Sequence, residues 1–167
     1  MTMTPEEALE QAALAGVHRL SVPTPFAVGK VNAYLIEDDP LTLIDGGPNY
    51  GSGLDVLSES IAAHGHSIED IGLVLLTHLH VDHIGLAEIV VEHSGAEVAA
   101  LGLAAQRLAD YEAEAERDDE FAVELMLRSG IPEEIALALQ SVSSTFRAWG
   151  APVEVTRPLA DGEIVEL

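Results

Sequence analysis

Over residues 17–101, short apolar runs are cut at close intervals by turn residues, a pattern of strands alternating with helices. Val17 to Val22 and Val28 to Glu37 read as strands. They are parted by Pro23-Thr24-Pro25, which cannot be helical because proline lacks the amide proton and fixes its own φ. Asp38-Asp39-Pro40 is a turn, and Leu41 to Asp45 is the next strand. The glycine-rich loop 46–53 lacks the lysine of a phosphate-binding loop and any dinucleotide spacing, so it reads as backbone passing close to a site. Leu54, Leu57 and Ile61 share one face of a helix from Leu54 to His64 that ends near Gly65. Ile71 to Thr77 is the apolar run of a buried strand, Ile84 to His93 a helix, and Glu97 to Leu101 a further strand.

The pattern then lengthens. Ile135, Leu139, Val142, Phe146 and Trp149 recur at alternating spacings of four and three, one apolar stripe on a helix. Ser129-Gly130-Ile131 breaks the chain before it, with Pro132 in a favourable first-turn position. Helices from Leu103 to Glu116 and from Phe121 to Arg128 precede that break, so 103–149 reads as a helical insertion. Its stripe either packs onto the sheet or caps a site as a lid over an apolar pocket. Val153 to Arg157 and Glu163 to Leu167 return to strand, and 1–16 is a short helix or loose arm.

Composition narrows the class. With 167 residues, 48% hydrophobic content and a mean hydropathy of +0.23, the chain can bury a core as one domain. No apolar run approaches a membrane span, and the acidic start Met1-Thr2-Met3-Thr4-Pro5-Glu6-Glu7 is no signal peptide. Cysteine is absent, which excludes disulfides and thiolate metal sites and fits a cytoplasmic location. Seven basic against 29 acidic residues leave a net charge of −22, which repels phosphate backbones, so no nucleic-acid partner is expected and a small-molecule substrate is. Much of the acid lies in 110–124 and reads as a solvated helical face.

The candidate chemistry is concentrated in Thr77-His78-Leu79-His80-Val81-Asp82-His83. Burying three imidazoles and a carboxylate together without compensation costs several kcal/mol, roughly the penalty for unpaired buried polar groups. Neutral imidazole nitrogen and carboxylate oxygen are instead the ligands that suit zinc, iron or manganese. One segment at a strand end can thus offer ligand pairs to two divalent ions, zinc foremost. His18, His64, His66 and His93 lie outside this run and read as core or surface residues.

His-x-His-x-Asp-His after a hydrophobic strand resembles the signature of the metallo-β-lactamase fold superfamily. Asn32-Ala33-Tyr34-Leu35-Ile36, a turn, and Leu41-Thr42-Leu43-Ile44-Asp45-Gly46-Gly47 resemble that family's opening hairpin. The resemblance covers about residues 17 to 101. It implies an α/β fold, a four-layer αββα sandwich, with His78 and His80 on one ion and Asp82 and His83 on the other. Asp82 would also orient the attacking water, and Asp45 would stand behind the ligands and hold them. The implied activity is hydrolysis of an ester, thioester or lactone type bond by metal-activated hydroxide. The alternatives are an iron-dependent sulfur dioxygenase of the same fold, a phosphodiesterase or ribonuclease, and a non-catalytic fragment.

The family also supplies a later histidine, a bridging aspartate and a final histidine, whereas no histidine follows His93 here. The expectation is one domain over 1–167 that is C-terminally incomplete. Expressed alone, it would leave one sheet face without its cover, aggregate or form a homodimer, and lack activity.

Overall fold

The computed structural model describes residues 3–27 and 29–167. Its centre is a six-stranded sheet in the order β1 (Val17–Pro23), β2 (Lys30–Ile36), β3 (Thr42–Ile44), β4 (Leu73–Leu76), β5 (Glu97–Leu101), β6 (Arg157–Leu159). The first two pairings are antiparallel, as the short turns between those strands require, and the next three are parallel, joined through helices. The helices are α1 (Pro5–Leu14), α2 (Gly53–Ala62), α3 (Val81–Ile84), α4 (Ala87–Ser94), α5 (Gly102–Ala109), α6 (Tyr111–Arg128) and α7 (Glu133–Arg147).

Register explains which face is buried. Leu35 pairs with Leu43, Leu43 with Val74 and Val74 with Val98, so four fully buried side chains line one face of the sheet. Leu57 and Ile61 of α2 and Val90 of α4 belong to the same core cluster. On the other face Tyr34, Ile44 and Leu75 lie side by side and are half-buried. The α/β class expected from the sequence is present, with a single sheet among the described residues. No helix among them is long and apolar enough to cross a membrane.

Several boundaries depart from the sequence reading. The expected helix from Ile84 to His93 is two helices, α3 and α4, broken at Gly85 and Leu86. There the Leu86 amide donates to the Gly47 carbonyl instead of continuing the helical ladder. A Cβ on Gly85 would collide with the Trp149 carbonyl oxygen, with the Asn49 nitrogen at 2.5 Å and with the Pro48 Cα at 2.7 Å, so only glycine fits this crossing. The insertion breaks at Asp110, not between 116 and 121: α6 runs unbroken through the acidic stretch expected to be a solvated face. Within it Asp119 is buried. The final strands shrink to β6, and 163–167 is not strand. The expected start of the second strand, Val28, lies outside the described residues.

The stripe on α7 divides. Ile135, Leu139 and Val142 remain about half exposed, at 48%, 50% and 48%, whereas Phe146 and Trp149 pack against each other and against Phe26. Tyr50 closes the same aromatic cluster through Trp149.

Candidate metal centre

β3 and β4 are adjacent and parallel, so the residues that follow them emerge at one edge of the sheet, where open α/β sheets place their sites. Asp45 follows β3, and the 78–83 segment follows β4. Asp45 is only 4% exposed and has φ of 56°, a left-handed conformation that aspartate tolerates better than most residues.

Its carboxylate takes part in three hydrogen bonds. The Thr77 amide donates to Oδ1 at 2.9 Å, the Thr77 hydroxyl donates to Oδ2 at 2.7 Å, and His83 Nδ1 lies 2.7 Å from the same Oδ2. A carboxylate can only accept, so His83 Nδ1 carries a proton and Nε2 is left with its lone pair. The Thr77 hydroxyl has spent its proton on Asp45, so toward His78 Nδ1, at 2.9 Å, it acts as acceptor. His78 is thereby also the Nδ1–H tautomer. One buried carboxylate, partly through one hydroxyl, sets two imidazoles with Nε2 free, the arrangement that ligand histidines require.

The His78 ring centroid lies 4.7 Å from that of His80 and 4.1 Å from that of His83, and Asp82 Oδ2 lies 3.9 Å from His83 Nε2. Burial, then the neighbouring His83 and His80, hold the His78 pKa below the usual imidazole value, which keeps its nitrogen neutral. Donor atoms of Asp45, His78 and His83 fall within 4.8 Å of one another. Proximity places Asp45 with His78 and His83, and its three hydrogen bonds engage it with Thr77 and His83. His80 precedes α3 as its N-cap residue, and Asp82 occupies the first turn, where a negative charge suits the helix dipole. The segment is tied down through its backbone: the Gly46 amide donates to the His83 carbonyl at 2.8 Å. The glycine-rich loop therefore does bring backbone close to the site.

A cavity of about 310 Å³ opens beside His80 and Asp82 under α5, α6 and α7. Arg107 of α5 pairs with Glu114 at 3.1 Å and with Asp118 on α6, and Arg147 of α7 lies 3.1 Å from Asp119.

Thr77 was not among the residues singled out from the sequence; only its place between strand and histidine run could have marked it. A second cluster also escaped that reading. His18 Nε2 and His66 Nε2 converge on Glu37 at 2.9 and 3.2 Å, and the His18 and His64 rings stack at 3.9 Å. These residues are far apart in sequence and carry no shared motif. They lie by the start of β1 and the end of β2, the opposite end of the sheet from Asp45. His93 lies in the last turn of α4 and is not among the residues whose donor atoms converge with Asp45, His78 and His83.

Residues 27–157 match the family profile described as the metallo-beta-lactamase superfamily. A curated probable metallo-hydrolase of Bacillus subtilis (strain 168), YqjP, is 50% identical over 70 residues, 42% of this chain and 22% of its own length. The crystal structure of a metallo-beta-lactamase family protein from Thermus thermophilus superposes with a TM-score of 0.75 at 30% identity, covering 93% of this chain and 50% of that one. A subclass B3 metallo-beta-lactamase of Bradyrhizobium japonicum shares the fold, with a TM-score of 0.61 at 19% identity over 92% of this chain and 46% of its own. The chain thus spans half or less of the length of these relatives.

Proposed function

The chain belongs to the metallo-beta-lactamase superfamily, and from that premise we propose that it carries the ligands of a metal-dependent hydrolase acting on an ester, thioester or lactone type bond. The observation that carries this reading is the Asp45–Thr77 arrangement that leaves Nε2 of both His78 and His83 free beside the Asp82 carboxylate. Imidazole nitrogens and a carboxylate oxygen, with no thiolate, fit a divalent ion, zinc foremost, with iron or manganese as alternatives.

His78 and His80 are assigned to one ion, and Asp82 and His83 to a second. A divalent ion held there would lower the pKa of its bound water far below the bulk value, towards neutrality, and would polarise a carbonyl oxygen. The remaining work falls to the chain. Asp45 keeps the imidazoles in register, Thr77 relays that constraint to His78, and the Asp82 carboxylate would also orient the attacking water. The net charge of −22 favours acyl substrates over phosphodiesters, whose charge it repels.

Elemental analysis of wild type, His78→Ala and Asp82→Ala tests the ligand set. Each variant is expected to lose metal, and unchanged stoichiometry in both would refute the assignment. Turnover of thioester, lactone, ester and phosphodiester panels, run beside an oxygen electrode, tests the reaction. Oxygen uptake without hydrolysis would replace the hydrolase with a dioxygenase.

A further inference from the structure

A second group of metal-ligating side chains stands at the far end of the sheet, and three separate segments build it. His18 opens β1, Glu37 follows β2, and His64 and His66 follow α2. The Glu37 amide donates to the Gly16 carbonyl at 2.8 Å, which fixes Glu37 beside the start of β1. Gly65, with φ of 87°, makes the left-handed step past the end of α2 and separates the two later histidines. His64 then stacks on His18, with ring centroids 3.9 Å apart, while His66 reaches Glu37.

The Glu37 carboxylate is shared between two rings. His18 Nε2 lies 2.9 Å from Oε2, and His66 Nε2 lies 3.2 Å from Oε1. The bonds from His18 and then His66 hold the Glu37 carboxyl below the usual carboxylate range, so it is ionised and both rings donate to it from Nε2. Two imidazoles and a carboxylate, with no thiolate, are a donor set that suits zinc.

Each nitrogen now rests on its own oxygen, so an ion has to draw the three donors inward. The side chains of His66 and Glu37 are 33% and 37% exposed and have room to turn, whereas His18, 11% exposed and stacked with His64, is the fixed member. Moving each ring proton from Nε2 to Nδ1 frees the two lone pairs without releasing a proton. The net charge of −22 favours a cation at this end as at any other.

We propose that His18, Glu37 and His66 form a zinc site separate from the centre beside Asp45, with water completing the coordination. One ion there clasps the start of β1, the end of β2 and the segment after α2. The site lies at the opposite end of the sheet from Asp45, so its task is to tie the fold, and it stands or falls apart from the hydrolase reading.

The probe is zinc alone, added to the chain carrying His78→Ala and Asp82→Ala, which leaves Asp45 bonded to Thr77 and His83. Equilibrium dialysis with elemental analysis is expected to find one zinc still bound. Adding His66→Gln or Glu37→Gln should weaken that zinc at least about tenfold. In the otherwise unaltered chain, zinc should move the imidazole nitrogen signals of His18 and His66 together along one saturation curve, a readout that needs no variant to fold.

A tie made by hydrogen bonds alone gives a different result: His66→Gln lowers the unfolding midpoint of the metal-free protein, and zinc affinity is indifferent to it. Zinc held at full affinity after His66→Gln, or zinc that leaves the His18 and His66 signals in place, overturns the proposal.

Discussion

Replacing Asp45 by asparagine separates geometry from charge. Asparagine tolerates the 56° φ of this position, so the backbone is not strained, and the side chain keeps its shape. One oxygen can still accept from the Thr77 amide. The NH2 group then faces the Thr77 hydroxyl and His83 Nδ1, which in the wild type both donate to Oδ2. Donor meets donor, and a buried donor left unpaired costs about 1–3 kcal/mol. His83 can escape by moving its proton from Nδ1 to Nε2, which spends the lone pair needed for metal.

Metal affinity should therefore fall about 10–100-fold, the usual effect of losing a group that orients a ligand. The metal-free protein should lose about 1–3 kcal/mol of stability. Asp45→Ala should lose about 1–2 kcal/mol more, because alanine has no side chain to offset a left-handed φ. Chelator competition reads the affinity, denaturant unfolding of the metal-free protein reads the stability, and imidazole nitrogen shifts read the tautomer. Wild-type affinity in Asp45→Asn, with His83 still protonated at Nδ1, would refute the chain of reasoning from Asp45 to the ligands.

Gly85→Ala should destabilise the protein by about 1–3 kcal/mol, since its Cβ meets backbone from Trp149, Asn49 and Pro48 that cannot swing aside; an unshifted unfolding midpoint would contradict this. The His64 pKa is held below 6.5 by burial and then by His18, so below about pH 6.5 the unfolded chain binds more protons and stability should fall with pH until the folded value is passed. His64→Gln should flatten that slope in denaturant unfolding across about pH 5 to 7, with His18, His66 and Glu37 left in place. An unaltered slope would assign the pH dependence elsewhere.

How far the sequence could be read depended on how local the cause was. The 78–83 segment announced itself because its histidines and carboxylate are neighbours in the chain, and β5 came out at its observed bounds. The single helix expected over 84–93 failed because the break comes from distant backbone crowding Gly85, which no periodicity encodes. α6 was cut in two because its charged middle hid the continuity, and Asp119 was lost in an acidic run although Arg147 draws it inside. The α7 stripe was legible as a stripe, but its spacing did not show that only its last turn would meet Phe26. The Glu37 cluster was out of reach, since it assembles only when β1, β2 and the end of α2 come together.

The compactness of the ligand segment has a cost in specificity for the folded state. Four donors spanning six consecutive positions stay near one another in an unfolded chain, with almost no loop to close. Asp45 is different: its bonds reach across 32 and 38 residues and exist only after β3 and β4 have paired. A denatured or newly made chain should thus capture ions with the segment alone, loosely and with unfixed tautomers. Metal held by the unfolded state offsets metal held by the native one, so added zinc should raise the melting temperature by less than the native affinity implies. The difference measures what the Asp45 bonds add to a site that is otherwise only a short peptide.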